Sequence, residues 1–127
     1  MAITTQILND NQLNTVVKID GTLTAEQGSA VTIVTASSLF GSPTNLKVKR
    51  IVYNVKNGLT VNLFWDGGTP ATLLNCSQQG EFAIDGADGH VLITNNAATP
   101  NGNITLTTTG YVATTSDRFT IVLELIK

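Results

Sequence analysis

Hydrophobic and polar residues alternate with a period of two along much of the chain. Over residues 59–66 the odd positions are Leu, Val, Leu and Trp, whereas the even positions are Thr, Asn, Phe and Asp. Over residues 119–126 the odd positions are Phe, Ile, Leu and Leu. Successive side chains of a strand point to opposite faces of its sheet, so both segments are predicted to be strands with one buried face. Residues 46–55 carry apolar side chains on both faces, which predicts a strand covered on both sides over part of its length.

A turn signal separates the first two of these strands along the chain. Lys56, Asn57 and Gly58 lie between residues 46–55 and 59–66, and the pair Asn-Gly tolerates the positive φ angles of a tight hairpin turn. Residues 46–66 are therefore predicted to form one β-hairpin.

Weaker alternating segments complete an all-β pattern of nine or ten short strands. They are residues 3–8, 15–23, 31–35, 71–75, 81–84, 90–94 and 104–108. The only helical feature expected is one short turn over residues 24–27, capped by Thr24. The pattern predicts a two-sheet antiparallel β-sandwich, jelly-roll-like, with little or no helix. We expect residues 15–127 to form a single sandwich domain, and residues 1–14 to be an N-terminal edge strand or an arm laid across a neighbour.

Charge and hydropathy narrow the classes of partner. Seven basic and nine acidic residues among 127 leave a net charge of -2, which provides no long-range field for holding nucleic acid. The N-terminus lacks a basic region followed by an apolar one, and no stretch approaches the roughly 18 to 20 apolar residues of a membrane span. The sequence predicts synthesis in the cytosol, with no membrane partner and no direct nucleic-acid partner.

Residues suited to catalysis or metal binding are few. The one cysteine, Cys76, has no disulfide partner within the chain and is predicted to be a small buried or semi-buried apolar side chain. The one histidine, His90, is interpreted as a turn-edge or interface residue rather than a ligand or base. Asp85, Gly86 and Asp88 resemble a fragment of a calcium loop, but they lack its alternating oxygen ligands and terminal Glu, so a glycine-rich turn is predicted. We predict no catalytic residue, no cofactor and no metal site.

Two groups of charged residues have a functional alternative. Lys47, Lys49 and Arg50 are the only basic cluster, interpreted as a solvated strand face or as a contact for an acidic partner. Glu81 and Asp85, with Asp66 elsewhere in the chain, form a hypothetical glycosidase pair, but such a pair needs a fixed separation of roughly 5 to 10 Å. Acids beside glycines are typical of solvated turns, so an enzyme is the third-ranked class of function.

Large apolar residues provide the candidate contacts with other proteins. Phe64 and Trp65 are neighbours, so one is predicted to fill the core, and the other to be covered by a loop, by the rim of the second sheet or by another subunit. The candidate interface residues are Ile3, Ile7, Leu8, Tyr53, Phe64 and Trp65.

Most of the chain, from about Thr4 to Lys127, resembles one class of viral protein. Residues 15–23, 48–55, 58–66 and 119–125 are similar to small structural proteins of tailed bacteriophages, in particular jelly-roll capsid decoration, or cement, proteins. The resemblance implies a non-enzymatic virion protein, made in the host cytoplasm, that lies on the capsid surface. It implies a homo-oligomer, a dimer or trimer, that bridges neighbouring major capsid subunits and reinforces the shell. No diagnostic motif transfers contact residues to this chain.

The main alternative is a carbohydrate- or receptor-binding β-sandwich of a phage tail or fibre. Jelly rolls host such sites, and Asn, Asp and Trp in loops suit sugar binding. Aromatic residues are few: the chain has two Tyr, one Trp and four Phe, and several of them are expected to lie in the core.

Overall fold

The computed structural model describes residues 2–83, 93–112 and 117–127. These residues form ten strands and one 3-10 turn, Ala36–Ser38. The strands are β1 (Ala2–Asp10), β2 (Asn14–Leu23), β3 (Val31–Val34), β4 (Lys47–Val55), β5 (Thr60–Thr69), β6 (Ala71–Ser77), β7 (Gln79–Ala83), β8 (Ile93–Thr94), β9 (Ala98–Thr109) and β10 (Asp117–Ile126).

The strands form two antiparallel sheets. Sheet A has the order β1-β2-β10-β4-β7, and the short β8 also pairs with β4. Sheet B has the order β3-β9-β5-β6. The prediction of an all-β two-sheet sandwich with little helix is confirmed.

The strand order is that of a jelly roll. Four pairs, β2 with β10, β3 with β9, β4 with β7 and β5 with β6, nest inside one another like the pairs of a single long hairpin. Rolling this hairpin up adds the pairs β10 with β4 and β9 with β5, which close the two sheets. Most pairs therefore join strands that are far apart in sequence.

The core lies between the sheets and is formed by the inward-facing positions of each strand. Ile19, Ile51, Leu63, Trp65 and Ile121 are all completely buried. In β10 every second residue from Asp117 to Leu125 is buried, which matches the alternation in the sequence. Burying each such apolar side chain stabilises the fold by roughly 1.5 to 3 kcal/mol.

The predicted hairpin over residues 46–66 is wrong. β4 pairs with β10, β7 and β8 in sheet A, whereas β5 pairs with β6 and β9 in sheet B. The turn itself is present, since the Leu59 N–H donates to the Lys56 carbonyl at 3.0 Å and Gly58 has a φ of 90°. It carries the chain from one sheet to the other, because both edges of β4 and of β5 are paired with other strands.

The predicted helical turn over residues 24–27 is also wrong. The Gln27 N–H donates to the Thr108 hydroxyl at 2.9 Å, and the Gln27 carbonyl accepts from the Thr108 N–H at 2.9 Å. These bonds hold the segment against β9 without a helical turn. The one 3-10 turn of the described residues, Ala36–Ser38, follows β3 instead.

Cys76 is a buried free thiol, as predicted. It lies in β6 with no exposed surface. Burial raises the pKa of the thiol to about 12, because the thiolate would lose its hydration. The side chain therefore serves as a small apolar group of the core.

Cys76 is expected to be unreactive in the folded protein. At pH 8 the rate of alkylation by iodoacetamide should be about a thousandfold lower in native protein than in urea-unfolded protein, because the reactive thiolate is depleted by the raised pKa. Mass spectrometry of timed samples measures both rates. Equal rates would contradict the burial of this thiol.

Candidate binding surface

The six candidate interface residues do not form one surface. Ile3, Ile7 and Leu8 lie on β1 of sheet A, Tyr53 on β4, and Phe64 and Trp65 on β5 of sheet B. Their exposure also differs: Ile7 and Leu8 are exposed, Ile3, Tyr53 and Phe64 are partly buried, and Trp65 is fully buried. Only the β1 residues are close together along one edge.

Trp65 belongs to the core, which decides between the two alternatives left open for the Phe64–Trp65 pair. Its exposed fraction is 0%, and it lies opposite the buried Ile104 of β9. Phe64 projects from the other face of sheet B, between Thr72 of β6 and Thr105 of β9. The odd positions of β5 face sheet A, so the Trp65 side chain is not available to a partner.

Tyr53 is also directed inward. It shares the inner face of β4 with Ile51 and Val55 and packs against the core. Its ring lies over Gly80 of the edge strand β7, where a Cβ atom would come within 2.5 Å of the Tyr53 oxygen. The glycine provides the space for this aromatic side chain, which is therefore only partly accessible.

Four exposed apolar residues, here called the end patch, lie on segments that meet near Asp10 at one end of the sandwich. It consists of Ile7, Leu8, Leu13 and Phe40, with exposed fractions of 47%, 50%, 69% and 57%. They are four of the five large apolar side chains that are exposed among the described residues; the fifth is Val112. Clustered exposed apolar groups are typical of binding sites for other proteins.

The sequence reasoning identified only half of the end patch. Ile7 and Leu8 belong to an alternating strand and were found by their pattern. Leu13 and Phe40 lie in connections between strands, where periodicity carries no information. The available signal was a large apolar residue within an otherwise polar turn.

An ion-paired cluster, here called the clasp, holds the end patch in place. The Lys127 ammonium donates to the carboxylate of Asp10, to the Asn11 carbonyl at 2.6 Å and to the Phe40 carbonyl at 2.9 Å. The same ammonium lies 5.5 Å from the centre of the Phe40 ring, within the range of a cation–π contact. The Lys127 N–H also donates to the Leu13 carbonyl at 2.9 Å. Three segments distant in sequence are thereby joined at one end of the molecule.

Asp10 is the acceptor at the centre of the clasp. Besides the Lys127 ammonium, it accepts from the Phe40 N–H at 2.9 Å and from the Thr15 hydroxyl at 3.0 Å. The hydrogen bond from Lys127 is the main cause that lowers the pKa of this carboxyl below its ordinary value of 3.8. The ionised carboxylate is therefore the form that the fold stabilises.

Replacing Asp10 by Asn is expected to lower the stability of the protein at pH 7. The variant should also lose less stability than the wild type when the pH is lowered. The carboxyl has a lower pKa in the folded than in the unfolded chain, so its contribution is present above about pH 4 and is lost as the pH falls through the folded pKa. Urea unfolding at about pH 7 and at about pH 2.5 measures the free energy of unfolding at each pH. Lys127→Met, which removes the cation, should reduce the same pH dependence. A D10N protein that keeps the wild-type loss of stability in acid would contradict this role.

One residue of the predicted basic cluster, Arg50, lies beside two acidic side chains. The Arg50 guanidinium lies 3.1 Å from a carboxylate oxygen of Glu81 and 4.0 Å from one of Glu124. The hydrogen bond to Glu81 is the main cause that raises the pKa of Arg50. Lys47 and Lys49 are exposed. Arg50 therefore joins an ion-pair network on sheet A and not a purely basic face.

Of the hypothetical carboxylate pair, Glu81 lies among the described residues and Asp85 does not, so the structure compares Glu81 only with Asp66. Glu81 lies on sheet A and is bound to Arg50, whereas Asp66 lies on sheet B and accepts from the Asn101 amide at 2.9 Å. His90, Asp85, Gly86 and Asp88 lie outside the described residues. Within residues 2–83, 93–112 and 117–127, no group of three or more His, Cys, Asp or Glu side chains is arranged to hold a metal ion.

A second surface feature, here called the amide depression, lies at the end of β4. It has a volume of about 470 Å³ and is lined by Asn54, Val55, Asn57, Gln78 and Gln79. Gln78 has a φ of 60°, a left-handed conformation that is uncommon for a residue with a side chain. Carboxamides both donate and accept hydrogen bonds, so this surface is suited to polar, uncharged groups.

Comparison with protein-family models and with curated protein sequences finds no match to this chain. The part of the chain that the structure describes has no helix of the length and hydropathy required to cross a membrane.

Proposed function

We propose that this protein is a non-enzymatic structural protein that decorates an icosahedral phage capsid by bridging neighbouring major capsid subunits. The observation that carries the proposal is the end patch: four exposed apolar side chains near one end of a jelly roll. The resemblance of most of the chain to phage cement proteins supplies the identity of the partner.

The physical properties of the end patch suit repeated binding to a lattice. The clasp joins the β1–β2 turn, the segment before β4 and the end of β10, so the patch is ordered before binding and little conformational entropy is lost. A shell offers many identical sites related by symmetry, so modest contacts add up when the decorating protein bridges subunits. The Lys127–Asp10 ion pair also removes net charge from the surface that would be desolvated.

The test is to mix purified protein with isolated phage shells that lack it and to count bound copies by sedimentation and gel densitometry. We expect binding on the order of hundreds of copies per shell, because icosahedral symmetry repeats each site. Leu13→Asp places a charge in the end patch and should weaken the apparent affinity at least about tenfold. The matched control is Val112→Asp, which places the same charge on an exposed apolar residue outside the patch.

Equal loss of binding in L13D and V112D would contradict the role of the end patch, and binding of no more than about a dozen copies would contradict lattice decoration. Reinforcement has a separate readout. Shells without the protein should assemble but rupture at a lower temperature than decorated shells. Equal heat tolerance of the two would count against a reinforcing role.

A carbohydrate- or receptor-binding module is the second candidate function, and the amide depression is the observation that favours it. Asn54, Asn57 and Gln79 offer paired donors and acceptors for sugar hydroxyl groups. Trp65, the one tryptophan of the chain, is fully buried and is not available to stack on a sugar. A glycan-array signal lost in Gln79→Ala, with unchanged unfolding behaviour, would support this alternative over capsid decoration.

A further inference from the structure

We infer that two copies of this protein pair through the outer edge of β1, antiparallel across a two-fold axis at Thr5, to join their A sheets into one continuous sheet. β1 is the last strand of sheet A and pairs with β2 on one side. No strand of the described residues pairs with its other side. With respect to residues 2–83, 93–112 and 117–127, that side presents unpaired backbone N–H and C=O groups, which are a template for another strand.

β1 lacks the charged side chains that protect many edge strands from association with another strand. Residues 2–9 contain no Lys, Arg, Asp or Glu, although charged side chains are a common means of preventing edge-to-edge association. β7, at the opposite edge of sheet A, carries the ion-paired Glu81. In sheet B, β3 has only four residues, and β6 is interrupted by a bulge at Leu73. β1 is thus the longest edge strand and has no charge before Asp10.

The polarity of β1 is symmetric about Thr5, which identifies a second copy as the occupant. In an antiparallel pair centred there, Ile3 lies opposite Ile7 of the partner subunit, and Thr4 lies opposite Gln6 of the partner subunit. Thr5 lies opposite Thr5 of the partner subunit. Each pair matches apolar with apolar or polar with polar, and pairs of β-branched or Thr side chains favour strand association.

Exposure on the inner face of β1 supports this arrangement. Ile3, Thr5 and Ile7 face the same side as Gly21, Ile19 and Val17 of β2, with which they pair. Ile7 nevertheless remains 47% exposed. A cleft of about 250 Å³ opens beneath it. The residues lining the cleft include Ile7, Val17, Ile33, Val34 and Leu39.

Pairing of a second β1 would extend this inner face. The apolar stripe of Ile3 and Ile7 would continue from one copy into the other, and the exposed surface of Ile7 would be reduced. The driving force is the burial of this apolar surface together with the pairing of the free backbone groups.

The bulge at Leu8 defines where the pairing ends. The register of β1 on β2 shifts between Ile7 and Asn9, and such a bulge bends and twists the strand. Pairing is therefore confined to residues 3–7. It involves Ile7 of the end patch and leaves Leu8, Leu13 and Phe40 free. The inference is independent of the proposed function, but it adds to it: a dimer carries two sets of Leu8, Leu13 and Phe40, and a protein that bridges two subunits requires two such surfaces.

The test uses the full chain and charge reversal at the two-fold axis. Light scattering after size-exclusion chromatography should give wild-type protein twice the mass of one chain. Thr5→Lys and Thr5→Glu each place like charges opposite one another, and each should raise the dimer dissociation constant at least about tenfold. An equimolar mixture of T5K and T5E should restore the dimer, because opposite charges then face each other. Thr72→Lys, on the exposed face of the edge strand β6, is the matched control and should remain dimeric.

The inference would be overturned if wild-type protein stayed monomeric at about 100 µM. That concentration is about a hundred times a dissociation constant of 1 µM. Dimeric T5K, or dissociation by T72K and not by T5K, would overturn it as well. A measurement on the wild-type protein alone does not depend on the folding of any variant. Amide hydrogen exchange of residues 3–7 should slow as the wild-type concentration rises. Unchanged exchange would overturn the inference. A dimer that does not bind shells contradicts only the capsid proposal, whereas a monomer that binds them contradicts only the dimer.

Discussion

Replacing Trp65 by alanine is expected to destabilise the protein by about 3 to 5 kcal/mol, the range for loss of a large aromatic side chain from a core. Trp65 is completely buried and is the largest of the fully buried side chains. Its removal would leave a cavity between the two sheets that neighbouring strands fill only in part. Since small domains are stable by roughly 5 to 15 kcal/mol, this one change would remove a large part of the total. Urea unfolding followed by far-ultraviolet circular dichroism measures the difference.

Trp65→Phe provides the control for this prediction. The indole Nε1 is buried and has no hydrogen-bond partner among the described residues, so phenylalanine gives up volume but no hydrogen bond. We expect Trp65→Phe to be less destabilising than W65A by at least about 1 kcal/mol. A loss below about 1 kcal/mol in W65A itself would contradict the assignment of Trp65 to the core.

Replacing Gly102 by alanine is expected to destabilise the protein by about 2 to 5 kcal/mol, from two separate causes. Gly102 has a φ of 86°, a left-handed conformation that residues with a Cβ rarely adopt. An added Cβ would also lie 2.2 Å from the Pro43 carbonyl oxygen and 2.8 Å from the Ala36 Cβ. Relief of these contacts requires movement of backbone on either side of Phe40, so the end patch should shift as well. The free energy of urea unfolding gives the size of the effect.

Two other glycines separate these causes. Gly41 has a φ of 81° and open space around it, so Gly41→Ala reports the conformational part alone, about 1 to 2 kcal/mol. Gly28 has open space and no left-handed φ, so Gly28→Ala should change stability by no more than about 0.5 kcal/mol. A G102A protein no less stable than G41A would show that the close approach to Pro43 is absent.

Alternation along the chain located the strands well because it reflects the burial of one sheet face directly. β2, β5 and β10 lie within a residue or two of their predicted positions, apart from the far end of β5, which continues to Thr69. Residues 24–27 and 36–38 were less predictable. Whether a short segment forms a helical turn depends on hydrogen-bond partners such as Thr108, which are distant in sequence.

The turn at Asn57 and Gly58 illustrates what a local signal leaves open. Its residues permit the chain to reverse, but the same reversal joins two neighbours within one sheet or two strands in opposite sheets. The choice depends on competition for strand edges. β10 and β7 occupy the edges of β4, and β9 and β6 occupy those of β5.

The sequence by itself determined the class of fold, the positions of most strands and the burial of Cys76, since each depends on local polarity and strand period. It also placed Phe64 and Trp65 on opposite faces. Only the tertiary structure decided that Trp65 faces inward and that Leu13 and Phe40 lie at the same end of the sandwich as Ile7 and Leu8. The clasp between Asp10 and Lys127 joins residues from opposite ends of the chain. Such contacts arise from the rolling of the strands, and no local pattern encodes them.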